Sequence, residues 1–120
     1  MTHDFLLAGL IPLHVLHHAV EGEIYGQAML DELRHHGYRI GPGTLYPLLH
    51  RLEERGYLKA REERNGKTMR RYYRATPKGR TALEAVKPQV SELFSEVIQG
   101  DRHPPQRSRS RRRTTTGEPL

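Results

Sequence analysis

The sequence of 120 residues contains no cysteine, which excludes a disulfide scaffold, a thiol nucleophile and any zinc site built on thiolates. Folding therefore does not depend on redox conditions. The sequence also lacks an apolar run long enough to cross a bilayer. About 20 such residues are needed, and the most apolar stretch, Phe5 to Leu16, is interrupted by Pro12 and His14. That stretch has the look of a signal-peptide core, yet Met1 to Asp4 carry no Lys or Arg and no small-residue cleavage site follows. The expectation is a buried first helix in a cytoplasmic protein without membrane contact.

Acidic residues are scarce in the middle of the chain. Between Arg34 and Arg80, thirteen Lys or Arg stand against four acids, Glu53, Glu54, Glu62 and Glu63, a local balance of +9. Residues 101–120 hold six Arg against Asp101 and Glu118, a balance of +4, while the remainder has one Lys and eight acids. The net charge of +6 thus hides a basic middle and tail beside acidic flanks. A fold that gathers the middle on one face presents a positive surface to a polyanion.

Length bounds the chain to one domain of roughly a hundred residues plus a tail. Leu6, Leu10, Leu13, Leu16 and Val20 fall at helical spacing, with Pro12 as a kink or a late start. Tyr25 to His36 predicts a second helix with Ile24, Ala28, Met29 and Leu33 on one face and Gly37 as its stop. Gly41-Pro42-Gly43-Thr44 reads as a turn into a third helix, closed by Gly56, whose stripe is Leu45, Leu48, Leu49 and Leu52. Thr44 either caps this helix or enters its first turn, and Pro47 is placed within that turn. Asn65-Gly66, between Tyr57–Arg64 and Thr68–Ala75, is the strongest hairpin signal in the chain, with a basic tip. Thr76-Pro77 then caps a last helix with a seam of Leu83, Val86, Val90, Leu93 and Val97, extended by Phe94 and Ile98. Pro88 should bend or split that helix. Residues past Gly100 lack the apolar side chains needed to offset ordering and are expected to be disordered.

The expected fold is mainly α with a small β-hairpin: a winged helix-turn-helix over residues 1–76, a dimerisation helix over 77–100 and a basic tail over 101–120. Three helices followed by a hairpin is the order in which a third helix enters the major groove with a wing beside it. Thr44, Tyr46, His50 and Arg51 take the outward positions of that helix and are the candidates for backbone and base contacts. Arg64, Lys67, Arg70 and Arg71 surround the hairpin and are the candidates for phosphate or minor-groove contacts. The bland alternatives are a solvated charged surface for the cations and a packing role for Tyr46. Glu53 and Glu54 are neighbours with no nearby nucleophile, so no enzyme is expected, and no cofactor is called for.

The segments Tyr25-Gly26, His36-Gly37-Tyr38, Pro42 through Glu53, Gly56-Tyr57-Leu58 and Arg71 through Gly79 strongly resemble the PadR family of bacterial transcriptional regulators. The resemblance spans about residues 5 to 99. It implies a dimeric repressor of double-stranded DNA with one C-terminal helix, released when a small-molecule effector binds or otherwise loosens the dimer. It also implies that Thr44, Leu45 and Tyr46 begin the recognition helix and that Tyr46 matches the family's phosphate-contacting tyrosine. Pro12 departs from the pattern and bears on dimer geometry, because in this family the first helix packs on the partner's last one.

Two other readings stay open. His14, His17 and His18, with His35 and His36 on the next helix, have spacings that can gather metal ligands; His14 and His18 are the candidates for a metal-sensing repressor, against ordinary surface or interface histidines. A dimeric protein-interaction module without specific DNA binding is the other. The Arg-Ser tail supports no function by itself.

Overall fold

Pro12 decides where the first long helix begins. It has no N–H, and its ring collides with the carbonyl four residues back, so a helix running through Ala8 cannot continue past it. In the computed structural model, which describes residues 4–100, α1 (Asp4–Ala8) stops there and a turn closes from Leu10 N–H to Leu7 O. Helix α2 (Ile11–Glu21) then starts with Pro12 in its first turn. The restart resets the helical phase, which corrects the expectation of one buried stripe from Leu6 to Val20. Ile11, Val15, Leu16 and Ala19 are buried, whereas Phe5, Leu6 and Leu10 are exposed.

Strand β1 (Ile24–Tyr25) precedes α3 (Gly26–His35), so Ile24 belongs to a sheet and not to the helix face predicted for it. Helix α3 buries Met29, Leu30 and Leu33 against the predicted stripe Leu45, Leu48, Leu49 and Leu52 of α4 (Pro42–Glu54), in one core with Val15 and Leu16. Both helices stop in the same way. Gly37 (φ 92°) and Gly56 (φ 83°) take the left-handed conformation, which costs glycine little. Gly37 N–H then reaches Arg34 O and Tyr38 N–H reaches Leu33 O; Gly56 and Tyr57 do the same with Glu53 and Leu52. The last carbonyls of each helix are thereby satisfied.

Helix α4 begins two residues before Thr44, so Thr44 enters the first turn without capping it and Pro47 lies in the second turn, not the first. Pro47 therefore removes one helical bond, to the carbonyl of Gly43; that residue is exposed, where water can take the bond.

Strands β2 (Leu58–Asn65) and β3 (Thr68–Ala75) pair antiparallel with Asn65 opposite Thr68. The turn residues are consequently Gly66-Lys67, one step along from the predicted Asn65-Gly66; Gly66 supplies the positive φ of 69°. β1 adds to the free edge of β3, with Ile24 opposite Tyr73, giving a three-stranded sheet in the order β1-β3-β2.

Helix α5 (Pro77–Val97) starts in a hydrogen-bonded knot. Thr76 Oγ1 accepts from Gly79 N–H at 3.0 Å and donates to the carbonyl of Gly56, while Lys78 Nζ donates to Arg55 O at 2.8 Å. One threonine and one lysine thus cap the start of α5 and the end of α4 together. Leu83 lies in the winged domain's own core, 7% exposed, so it drops out of the seam assigned to dimerisation. The compact unit accordingly extends through Lys87, beyond the boundary expected at residue 76, and Pro88 to Gly100 belong to a second unit. α5 is not split at Pro88. The tail expected to be disordered lies outside the described residues. No helix among the described residues is long and apolar enough to cross a membrane.

Candidate nucleic-acid interface

Because the leucine stripe of α4 faces the core, Thr44, Tyr46, His50 and Arg51 are forced onto the opposite, exposed face. Their partners differ. His50 Nε2 lies 3.4 Å from Glu54, a surface pair of small energetic weight. Arg51 has no ion-pair partner among the described residues, which leaves its five donors open. Tyr46 is half-exposed, and its ring rests on Gly26, where an added Cβ would fall inside the ring. The absence of a side chain at Gly26 is what lets the Tyr46 ring take this seat.

The four cations assigned to the wing separate into two kinds. Arg64 and Lys67 are exposed at the hairpin end with no ion pair among the described residues. Arg70 lies over the Tyr25 ring, 4.2 Å from its centroid. Arg71 is bound inward: Nη2 is 3.0 Å from Glu53, Nη1 is 3.3 Å from Glu62, and Nε donates to Tyr73 Oη at 3.2 Å. The hydrogen bonds of Glu53 and then Tyr73 hold the Arg71 guanidinium even more firmly protonated than usual. Glu53 therefore ties α4 to the wing. Arg61, which sequence reasoning did not single out, holds Glu23 with two bonds of 2.6 and 2.7 Å and lies 4.6 Å from the Tyr72 ring centroid. Those partners are 38 residues apart, and no local pattern signals such a pair.

Where the start of α3, Tyr46 and β3 meet, a cleft of about 400 Å³ is lined by Tyr25, Gly26, Gln27, Tyr46, Arg70 and Arg71, among others. Tyr25, at the N-cap of α3, gives no side-chain cap. A phenol and guanidinium groups around one cleft favour an anion of phosphate size.

The sequence profile of the Transcriptional regulator PadR-like family matches residues 15–85. The chain belongs to this family. It is 47% identical over 93 residues to the transcriptional regulator Rv3488 of Mycobacterium tuberculosis, a match covering 78% of this chain and 87% of that one. The crystal structure of a PadR family transcriptional regulator from Eggerthella lenta superposes with a TM-score of 0.70 at 36% identity, covering 78% of this chain and 83% of that one. A transcriptional regulator from Clostridium thermocellum gives a TM-score of 0.68 at 29% identity over 86% of this chain and all of its own. DNA-binding regulation of transcription is the function this membership carries, on a winged-helix fold.

In this PadR-like chain the seam assigned to dimerisation is divided by burial. Val86 is half-buried, but Val90, Leu93, Phe94 and Val97 are exposed. The histidines do assemble, and into a larger group than the predicted pair. The rings of His14 and His18 stack at 5.1 Å, His36 stands 5.0 Å from His14, and His36 Nε2 lies 2.8 Å from Glu32 Oε2. Burial, then the neighbouring His18, His36 and His17, push the His14 imidazole down, and the hydrogen bond from His36 holds the Glu32 carboxyl low. The pattern therefore favours a neutral His14 beside an ionised Glu32.

Proposed function

We propose that the chain is a ligand-responsive repressor that binds an inverted-repeat operator as a cytoplasmic homodimer. The observation that carries this reading is the outward row Thr44, Tyr46, His50 and Arg51 on α4, with Arg51 unpaired and Arg64 and Lys67 free beside it on the wing. Each protomer inserts α4 in a major groove; Tyr46, Thr44 and His50 fix it on the backbone, and Arg51 reads a base. A bidentate contact from Arg51 to guanine discriminates by about 1–3 kcal/mol. Arg64, Lys67 and Arg70 neutralise phosphates, and Arg71 lies next to them while holding the wing to α4.

The exposed apolar residues support the dimer. Phe5 and Leu6 on α1, and Val90, Leu93, Phe94 and Val97 on α5, are two faces without a cover in one chain, and a second copy covers them. An effector bound near such an interface changes the spacing of the two recognition helices, and lost spacing loses both half-sites together.

The test is binding of the purified full-length protein to DNA from its own upstream region at several salt concentrations, beside Tyr46→Ala and Arg51→Ala. Sequence-selective binding that weakens steeply with salt and fails in both variants is the expected result. Binding that ignores sequence and survives Arg51→Ala overturns the reading in favour of an interaction module.

A further inference from the structure

A second cleft, of about 320 Å³, is lined by the end of α2, by β1 and by α3. Its size suits a molecule of one ring, at the small end of ligand sites. Ile24, Ala28 and Met29 supply apolar lining, Glu23 and Glu32 supply carboxylates, and no Lys or Arg lines it.

The two carboxylates differ. Glu23 gives both oxygens to Arg61, at 2.6 and 2.7 Å, so its charge is already matched. Glu32 lies 2.8 Å from His36 and 3.6 Å from His18, both through Oε2, which leaves Oε1 without a hydrogen bond among the described residues. Its side chain is 39% exposed, so a ligand can reach it. An ionised carboxylate oxygen with no donor, beside apolar side chains, is a seat for an ammonium group carried on an apolar body. A carboxylate or phosphate ligand would meet Glu32 with no lining Lys or Arg to offset the repulsion.

Tyr25 connects this cleft to the DNA-binding surface. The same residue lines the cleft beside Tyr46, and Arg70 lies 4.2 Å from its ring centroid. The ring attracts a cation, but a second cation drawn to it is repelled by the first. Arg70 and a bound ammonium therefore compete for Tyr25. The ring of Tyr25 and the thioether of Met29 also favour an aromatic body for the ligand.

We propose that the cleft is an effector site within each protomer: it binds a small aromatic amine in its ammonium form, Glu32 holds the charge, and occupancy loosens Arg70 through Tyr25. The regulatory part rests on the ligand-responsive reading above; the binding part rests on the lining residues alone.

The test titrates the full-length protein, with a chelator present throughout, by calorimetry with benzylamine. Benzyl alcohol and benzoate are the neutral and anionic controls of similar size. Saturable binding of one benzylamine per chain is expected, with both controls at least about tenfold weaker. Glu32→Gln should weaken benzylamine about tenfold and leave benzyl alcohol unchanged. Ala28→Leu should fill the cleft and exclude both, its fold checked by circular dichroism. With DNA from the protein's own upstream region, benzylamine should lower affinity about fivefold or more. Arg70→Ala should abolish that response without weakening benzylamine binding. Absence of saturable binding overturns the assignment, as does benzoate binding as tightly as benzylamine, or a Glu32→Gln variant that binds benzylamine like the parent. Binding that leaves DNA affinity untouched overturns the link through Tyr25. The calorimetry contains no DNA, so its failure leaves the repressor reading standing, and a failure to bind DNA leaves the cleft to be decided by calorimetry.

Discussion

Two glycines on the same domain face opposite consequences if a methyl group is added. At Gly26 the new Cβ meets the far end of the Tyr46 side chain, which can swing out; at Gly79 it meets the backbone oxygen of Tyr57, which is fixed by the Thr76 N–H. Gly79→Ala should therefore destabilise by about 1–3 kcal/mol, as overpacking does, and thermal unfolding will register it. Gly26→Ala should leave the melting temperature nearly unchanged but weaken operator binding about as much as Tyr46→Ala, since both take the phenol from its seat. Equal loss of stability in the two variants would refute this distinction. The arginines divide along similar lines. Arg51, with no partner to lose, should cost DNA affinity and base preference without a change in unfolding, whereas Arg71→Ala should loosen the wing from α4 and lower the melting temperature as well. Binding assays and thermal scans on the two variants separate these outcomes.

At the scale of elements, the fold is held at the joints. Thr76 bonds both Gly79 and Gly56, so Thr76→Ala removes an N-cap and a tie to the end of α4 together, with a cost of about 1–2 kcal/mol by denaturant unfolding. Arg61 ties β2 to Glu23, just before β1. The hydrogen bond from Arg61 holds the Glu23 carboxyl below its usual value of 4.5, so the pair's stabilising effect is present above that pH and is lost as pH falls through the lowered value. Glu23→Gln should flatten the acid side of a stability-versus-pH curve and change little near neutrality. The cap that Thr76 gives α5 was legible in the sequence, but its tie to Gly56 and the Arg61–Glu23 pair were not, because those bonds connect residues 20 and 38 apart along the chain. What was legible is what local chemistry dictates: the leucine stripe of α4, the glycine stops at Gly37 and Gly56, the hairpin to within one residue of its turn at Gly66-Lys67, and from the stripe the exposed row Thr44, Tyr46, His50 and Arg51. Strand β1 escaped because two residues carry no periodicity and pair only with distant Tyr72 and Tyr73. The break at Pro12 was open in the sequence, but its effect on phase, which turns Leu6 and Leu10 outward, depends on the two-residue restart. Likewise, the seam of α5 looked uniform, and only packing assigns Leu83 to the domain's own core.

At the scale of the whole molecule, affinity for an inverted repeat depends on two domains acting as one ligand. A dimer that engages both half-sites gains the effective concentration of the second domain, commonly 10²–10⁴-fold in affinity, without any new contact. Leu93 and Phe94 are each 50% exposed on α5 and belong to the second unit, so replacing both with glutamate adds charge to the proposed interface and leaves the winged core as it is. The expected result of Leu93→Glu with Phe94→Glu is a monomer by sedimentation, with a winged domain that keeps its circular dichroism. Its affinity for a full operator should fall about 100-fold or more. Its affinity for a single half-site should stay near that of the parent, because α4 and its Arg51 are untouched. The salt dependence discriminates further: one domain neutralises half as many phosphates as two, so the slope of log K against log salt should drop to about half. If the variant remains dimeric with an unchanged slope, the partner is held by another surface, and the exposed Phe5 and Leu6 of α1 become the place to put the next charge.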